Sequence, residues 1–236
     1  MTKRHDIAIQ HSSKRSDWRT PLEQRSLLTL TERVAHYHTT FPKYPQMWVD
    51  KGWLMGVWVL GNMYKKATPY YGAYPGNFQS RVLSLFPDRG RTLHLFSGTL
   101  LAEEGEVTVD AQCNEWVSPT IRADARKLPF TACFDFVLAD PPYSASDAEK
   151  YGMKMPSRLV VLRGLHDVVS RGGHVCWLDT VRPMYSAKLW KQVGAVMVLV
   201  STNTRTRCLS IFQKVTKELE LPLNGEALPE PPVSWR

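Results

Sequence analysis

Short apolar runs, broken by turns carrying glycine, proline or an acid, dominate the chain from residue 92 onward, and their length marks them as strands. Residues 92–96, 106–109, 120–123, 134–139, 174–178, 195–201 and 208–212 have this character. Helical spacing of apolar residues alternates with them over 78–86, 157–170 and 186–192. In 157–170, Leu159, Leu162, Leu165 and Val169 share one side, and Gly172 and Gly173 close the segment. This alternation predicts an α/β fold with a doubly wound, mostly parallel sheet. The short 202–207 connection predicts an antiparallel hairpin at its end.

Upstream the pattern changes. Leu22, Leu27, Leu28, Leu30, Val34 and Tyr37 predict a helix over 21–38. Residues 48–64 carry Trp48, Val49, Trp53, Leu54, Val57, Trp58 and Leu60, apolar nearly all round, which predicts a buried helix. Glycine and proline mark 68–77 as a loop, 144–156 is a polar loop with Tyr151 and Gly152 that suits a lid, and the prolines of 216–236 predict a loose tail. The chain thus divides into a basic, aromatic-rich helical extension (1–70), an α/β domain (71–215) and a tail.

Candidate chemistry collects at strand ends. The run 134–139 stops abruptly at Asp140, Pro141, Pro142 and Tyr143. Proline cannot continue a central ladder, so an acid and a ring are presented at the carboxyl end of a buried strand, where open α/β sheets place their sites. An exocyclic amine on a nucleobase is a poor nucleophile because its lone pair is delocalised into the ring. If the Asp140 carboxylate and the Pro141 carbonyl accept its two N–H groups, the nitrogen can turn tetrahedral and its lone pair becomes available. Tyr143 offers a face on which an extruded base can stack. Three further strand ends fit a nucleoside: the turn Ser97–Gly98 allows close backbone approach, Asp110 stands where an acid can accept both ribose hydroxyls, and Asp124 follows the strand 120–123. Each of these acids alone also fits a plain strand-end cap.

The sequence DPPY resembles the catalytic motif of the S-adenosylmethionine-dependent amino-methyltransferases. LHLFSGTL resembles that family's cofactor motif, with Phe96 and Gly98 in place, His94 at the usual acid position and Leu100 at the usual second glycine. AYPGNF, which includes Asn77 and Phe78, stands where the family has a cofactor-flanking segment. The resemblance implies a Rossmann-like class I methyltransferase core over 71–215. It implies S-adenosyl-L-methionine as cofactor, held by Asn77, Phe78, His94, Phe96, Ser97, Gly98, Asp110, Asp124 and Ala125, with Asp124 accepting from the cofactor's adenine amine. The order of the three motifs is similar to the γ arrangement of DNA adenine N6 methyltransferases. His94 and Leu100 keep a second class open, a non-catalytic binding module.

Charge and composition agree with a nucleic-acid partner. The 236 residues carry a net charge of +8, and Lys3, Arg4, Lys14, Arg15 and Arg19 make the first twenty a basic arm suited to phosphates. DNA is favoured over RNA as substrate. Cys113, Cys133, Cys176 and Cys208 lie too far apart for a metal site or disulfide scaffold, and the polar start of the chain lacks a signal peptide, so a cytoplasmic protein with no metal and no membrane span is expected.

Overall fold

A computed structural model describes residues 20, 22, 27–61, 74–113, 117–201 and 203–215; the basic arm up to residue 19 and the tail 216–236 lie outside the described residues. The first helix, α1 (Leu30–Thr40), starts at a capping box in which the Thr29 side chain accepts from Glu32 N and the Glu32 side chain accepts from Thr29 N. Two strands follow, β1 (Met47–Asp50) and β2 (Trp53–Leu60), then α2 (Phe78–Leu85). The predicted strands appear as β3 (Thr92–Leu95), β4 (Glu106–Asp110), the very short β5 (Ile121–Arg122) and β6 (Phe134–Ala139). A six-residue helix, α3 (Ala145–Lys150), interrupts the expected polar loop. Helix α4 (Arg158–Val168), β7 (Val169–Asp179), β8 (Trp190–Val200) and β9 (Asn203–Lys214) complete the fold.

The nine strands among the described residues join one sheet in the order β1-β2-β8-β9-β7-β6-β3-β4-β5. Five of the eight neighbouring pairs are parallel, and β8 and β9 form the expected antiparallel hairpin. Apolar side chains alternate between two cores. Phe136, Leu138, Cys176 and Leu178 pack on one face with residues of α1 and α2, and Val137, Ala139, Val175 and Trp177 pack on the other with α4. Helices on both faces of a largely parallel sheet make this a Rossmann-like α/β fold. From β3 the chain runs outward through β4 to β5, then returns to place β6 on the opposite side of β3. That reversal opens a crevice at the carboxyl ends of β3 and β6.

Two predicted helices are strands. Residues 48–64 were expected as one buried helix, but Lys51 and Gly52, both at positive φ (46° and 76°), turn the chain sharply so that Asp50 pairs with Trp53. Two consecutive left-handed residues make the tight turn whose twist matches paired strands. The all-round apolar character comes from a strand that meets the core with one face and keeps apolar residues on the other. A Cβ at Gly56 would press on the backbone Gln46 O at 2.9 Å as well as on the Met47 side chain, so the hairpin also needs a glycine there. Residues 186–192 form a single turn and then enter β8, because the buried Trp190 points at α4 and its Nε1 donates to Leu162 O at 2.9 Å. Gly172 and Gly173 lie within β7 and do not close α4.

The described part of 1–70 is built into the same sheet, since β2 runs parallel to β8 over seven register pairs. Buried arginines fasten α1 above it. Arg33 donates to Leu85 O at 3.1 Å and to both Asp88 oxygens at 2.5 and 2.8 Å, and Arg81 donates to the Tyr37 hydroxyl at 3.2 Å. The Tyr37 ring in turn stacks on Trp58, with centroids 5.9 Å apart.

Candidate active site

The turn after β3 is strained and stitched to its neighbour. Phe96 and Gly98 lie at φ of 60° and 55°. For a non-glycine residue this conformation costs on the order of 1–2 kcal/mol, and the Phe96 ring is held edge-on to Trp177 with centroids 6.2 Å apart. Ser97 N donates to Val109 O at 3.2 Å, and Gly98 N donates to Asp110 Oδ2 at 3.0 Å. Asp110 Oδ1 accepts from Gln112 N at 3.1 Å. The acid at the end of β4 therefore shapes the glycine turn, and each oxygen keeps a further lone pair for a ligand.

The turn after β6 lies beside it. Ala139 is in register with Leu95, and Asp140 N donates to Leu95 O at 3.4 Å. Pro141 and Pro142 are buried. The Tyr143 hydroxyl donates to Asp140 Oδ1 at 2.6 Å. Burial pushes the Asp140 carboxyl up to about 7, against the opposing pull of that hydrogen bond and of the Arg207 charge. Tyr143 is itself raised well above its ordinary value, first by burial and then by the negative charge of Asp140.

Three residues absent from the sequence reading hold this turn. Arg158, at the start of α4, donates through Nη2 to Tyr143 O at 3.1 Å and grips Asp179 with Nε to Oδ2 at 2.7 Å and Nη2 to Oδ1 at 3.1 Å. Asp179 is wholly buried at the end of β7 and also accepts from Trp177 Nε1 at 3.2 Å and Val181 N at 3.3 Å. The guanidinium of Arg207, from β9, lies 5.2 Å from the centre of the Tyr143 ring. Asp179 had a readable signal, an acid at a strand end like Asp110 and Asp140. Arg158 and Arg207 had none, because their position depends on how distant strands pair.

The remaining predicted residues fall in different surroundings. His94 is fully buried within β3, and its Nε2 lies 3.1 Å from Glu106 Oε2. Phe78 is wholly buried, 6.1 Å from Trp58 and 5.3 Å from Tyr74 between ring centres, and so serves the core. Asn77 is exposed at the N-cap of α2 with φ of 63°. Asp124 accepts from Arg126 N at 2.8 Å and is paired with its guanidinium, which holds the carboxyl below its usual range. Ala125 is buried beside it, and Ala123 N donates to Asp110 O at 3.0 Å, so this loop adjoins the end of β4.

Several buried polar atoms around the crevice have no hydrogen-bond partner: Ser97 Oγ, the Tyr74 hydroxyl, His94 Nδ1, and Nε and Nη1 of Arg207. Tyr74 is raised well above its ordinary value by burial and then by the charge of Asp140, which places its hydroxyl within electrostatic reach of the turn after β6. Buried polar groups normally find partners, so Ser97 Oγ in the glycine turn and the Tyr74 hydroxyl near Asp140 suit a polar ligand. Among the described residues no cluster of three or more His, Cys, Asp or Glu could hold a metal ion, and no helix is long and apolar enough to cross a membrane.

No family model matches the chain, and no curated protein matches it. Among solved structures it is similar to TrmN from Thermus thermophilus, at 20% sequence identity and a TM-score of 0.39, with the match covering 53% of this chain and 44% of that one. The chain thus matches less than half the length of that neighbour.

Proposed function

We propose that this chain is an S-adenosylmethionine-dependent methyltransferase that modifies an exocyclic amine of a nucleobase in nucleic acid, with adenine N6 in DNA as the preferred target. One observation carries the reading: Asp140 and Tyr143 are held at the carboxyl end of β6, at the reversal of strand order and against the glycine turn of β3. An amine placed there would donate one N–H to Asp140 and the other to Pro141 O, while its base lies against Tyr143.

The cofactor fits the donors at hand. Ser97 Oγ and the Tyr74 hydroxyl are buried polar atoms in want of a partner, the backbone of Phe96, Ser97 and Gly98 forms a close-approach turn, and Asp110 retains lone pairs for two ribose hydroxyls. Asp124 and Ala125 would receive the adenine, with Asn77 flanking the remainder; Phe78 and His94, both fully buried, would stand behind the site without touching the cofactor. When bound, S-adenosylmethionine supplies an electrophilic methyl group. Asp140 must be ionised to accept from the amine, so activity should rise as pH climbs through about 7.

The test is incubation with labelled S-adenosylmethionine and separate DNA and RNA pools, followed by nucleoside mass spectrometry. Label in N6-methyladenine from DNA is the expected result, and label in RNA alone would move the substrate class. Asp140→Ala should abolish transfer while leaving cofactor affinity within about twofold, since the lost group faces the amine. A second reading, a non-catalytic binding module, draws on the pairing of Asp124 with Arg126 and of His94 with Glu106. Calorimetric titration with the cofactor, alongside the transfer assay, separates the two readings.

A further inference from the structure

We infer that Arg207 is the positioning residue of the turn after β6: its guanidinium fixes the Tyr143 ring and brings a positive charge toward Asp140. The inference rests on the amine-methylation reading above, in which the Asp140 carboxylate accepts from the target.

The sheet order explains how an arginine from the end of the fold reaches the site. Strand β9 lies beside β7 and runs antiparallel to it, so its first half meets the carboxyl end of β7, with Cys208 opposite Asp179. Arg207 is the residue before that contact and pairs with Val198 of β8 on its other side. Its guanidinium arrives over Tyr143.

Packing does not account for an arginine here. Its Nε and Nη1 are buried without an acceptor, a loss that an aliphatic residue like its cross-strand partner Val198 would avoid. What it faces is charge. From its own turn Asp140 meets the Tyr143 hydroxyl, from the segment before α2 the Tyr74 hydroxyl, from β7 the Asp179 carboxylate, and from β9 the Arg207 guanidinium. Arg158 is committed by two hydrogen bonds to Asp179. Burial and the Asp179 charge both favour a protonated Asp140; Arg207 opposes them. A planar cation against the ring also restricts Tyr143, which must present a face to the base.

The test uses Arg207→Met, which keeps the packing of the aliphatic stem, Arg207→Gln as a second neutral variant, and Arg207→Lys, which keeps the charge. The Asp140 carboxyl is followed by carbon NMR against pH, assigned by its absence in Asp140→Asn, and methyl transfer is followed over the same range. We expect the Asp140 midpoint to move upward by about one pH unit in the neutral variants, the acid limb of the rate profile to move with it, and Arg207→Lys to stay near the wild-type midpoint. An unchanged midpoint in the neutral variants would overturn the inference, as would activity reduced by the same factor at every pH. If the wild-type protein methylates no nucleic acid, the functional reading fails, and the NMR midpoints alone still decide whether Arg207 sets the charge of Asp140.

Discussion

Burial makes the Asp140 carboxylate costly for the folded state. Its carboxyl titrates near 7 in the folded protein, against about 3.9 in an unfolded chain. Between those values the folded state binds the extra proton, so stability contributed at this residue is present at low pH and is lost as pH rises toward 7. Asp140→Asn should therefore be more stable than wild type at pH 8 by roughly 1–3 kcal/mol, with the difference gone near pH 4. Thermal melts at the two pH values check this, and a less stable variant at pH 8 would contradict it. Loss of activity accompanying that gain would be a trade-off between function and stability. At this scale the sequence was informative where the signal is local: Asp140 to Tyr143, Gly98 and Asp110 all lie at the ends of runs that can be read by eye. It was silent on Arg158 and Arg207, whose partners are 15 to 21 residues away in the case of Arg158 and on another strand in the case of Arg207.

Among the elements, β3, β4 and β6 follow their apolar runs closely, because a strand buried on both faces is a continuous apolar stretch bounded by turn residues. The final hairpin is longer than its runs, since β8 begins at Trp190 and β9 spans Asn203–Lys214, taking in most of the expected 202–207 connection by pairing through polar and exposed positions. Apolar continuity misled at 48–64, where a hairpin whose outer face keeps Trp48 and Val59 exposed has the composition of a buried helix. Only the Lys51–Gly52 pair distinguishes the two. At 186–192 the short apolar spacing fits one helical turn, and pairing with β9 prevails over it. Helix α4 matters beyond its packing because Arg158 joins it to both β7 and the Tyr143 turn. Arg158→Met should destabilise the protein by about 3–5 kcal/mol, since it leaves the Asp179 charge buried without its cation. Arg158→Met combined with Asp179→Leu should recover much of that loss, which denaturant unfolding of the three proteins would show. Equal instability of the single and double variants would mean that the pair is not the cause.

At the scale of the whole molecule, the proposed nucleic-acid substrate would have to be held without a separate recognition domain between Tyr143 and residue 215. The basic residues of the first twenty are the proposed phosphate contacts. Their deletion should weaken nucleic-acid binding and flatten the plot of log affinity against log salt while cofactor affinity stays constant; equal salt slopes would move the contact surface to the 144–156 segment. The order of strands has a separate consequence, for the route by which the protein is made. Strand β9 lies between β8 and β7, so the hydrogen-bonded sheet is two unjoined parts, β1-β2-β8 and β7-β6-β3-β4-β5, until β9 inserts. During synthesis β2 must wait for β8, 140 residues later by their register (Leu54 pairs with Gly194), a separation that slows folding and prolongs exposure of unpaired strand edges. A nascent chain released before residue 203 would have every residue of the DPPY turn and no closed sheet to carry it, so protease resistance should appear late, with the emergence of β9.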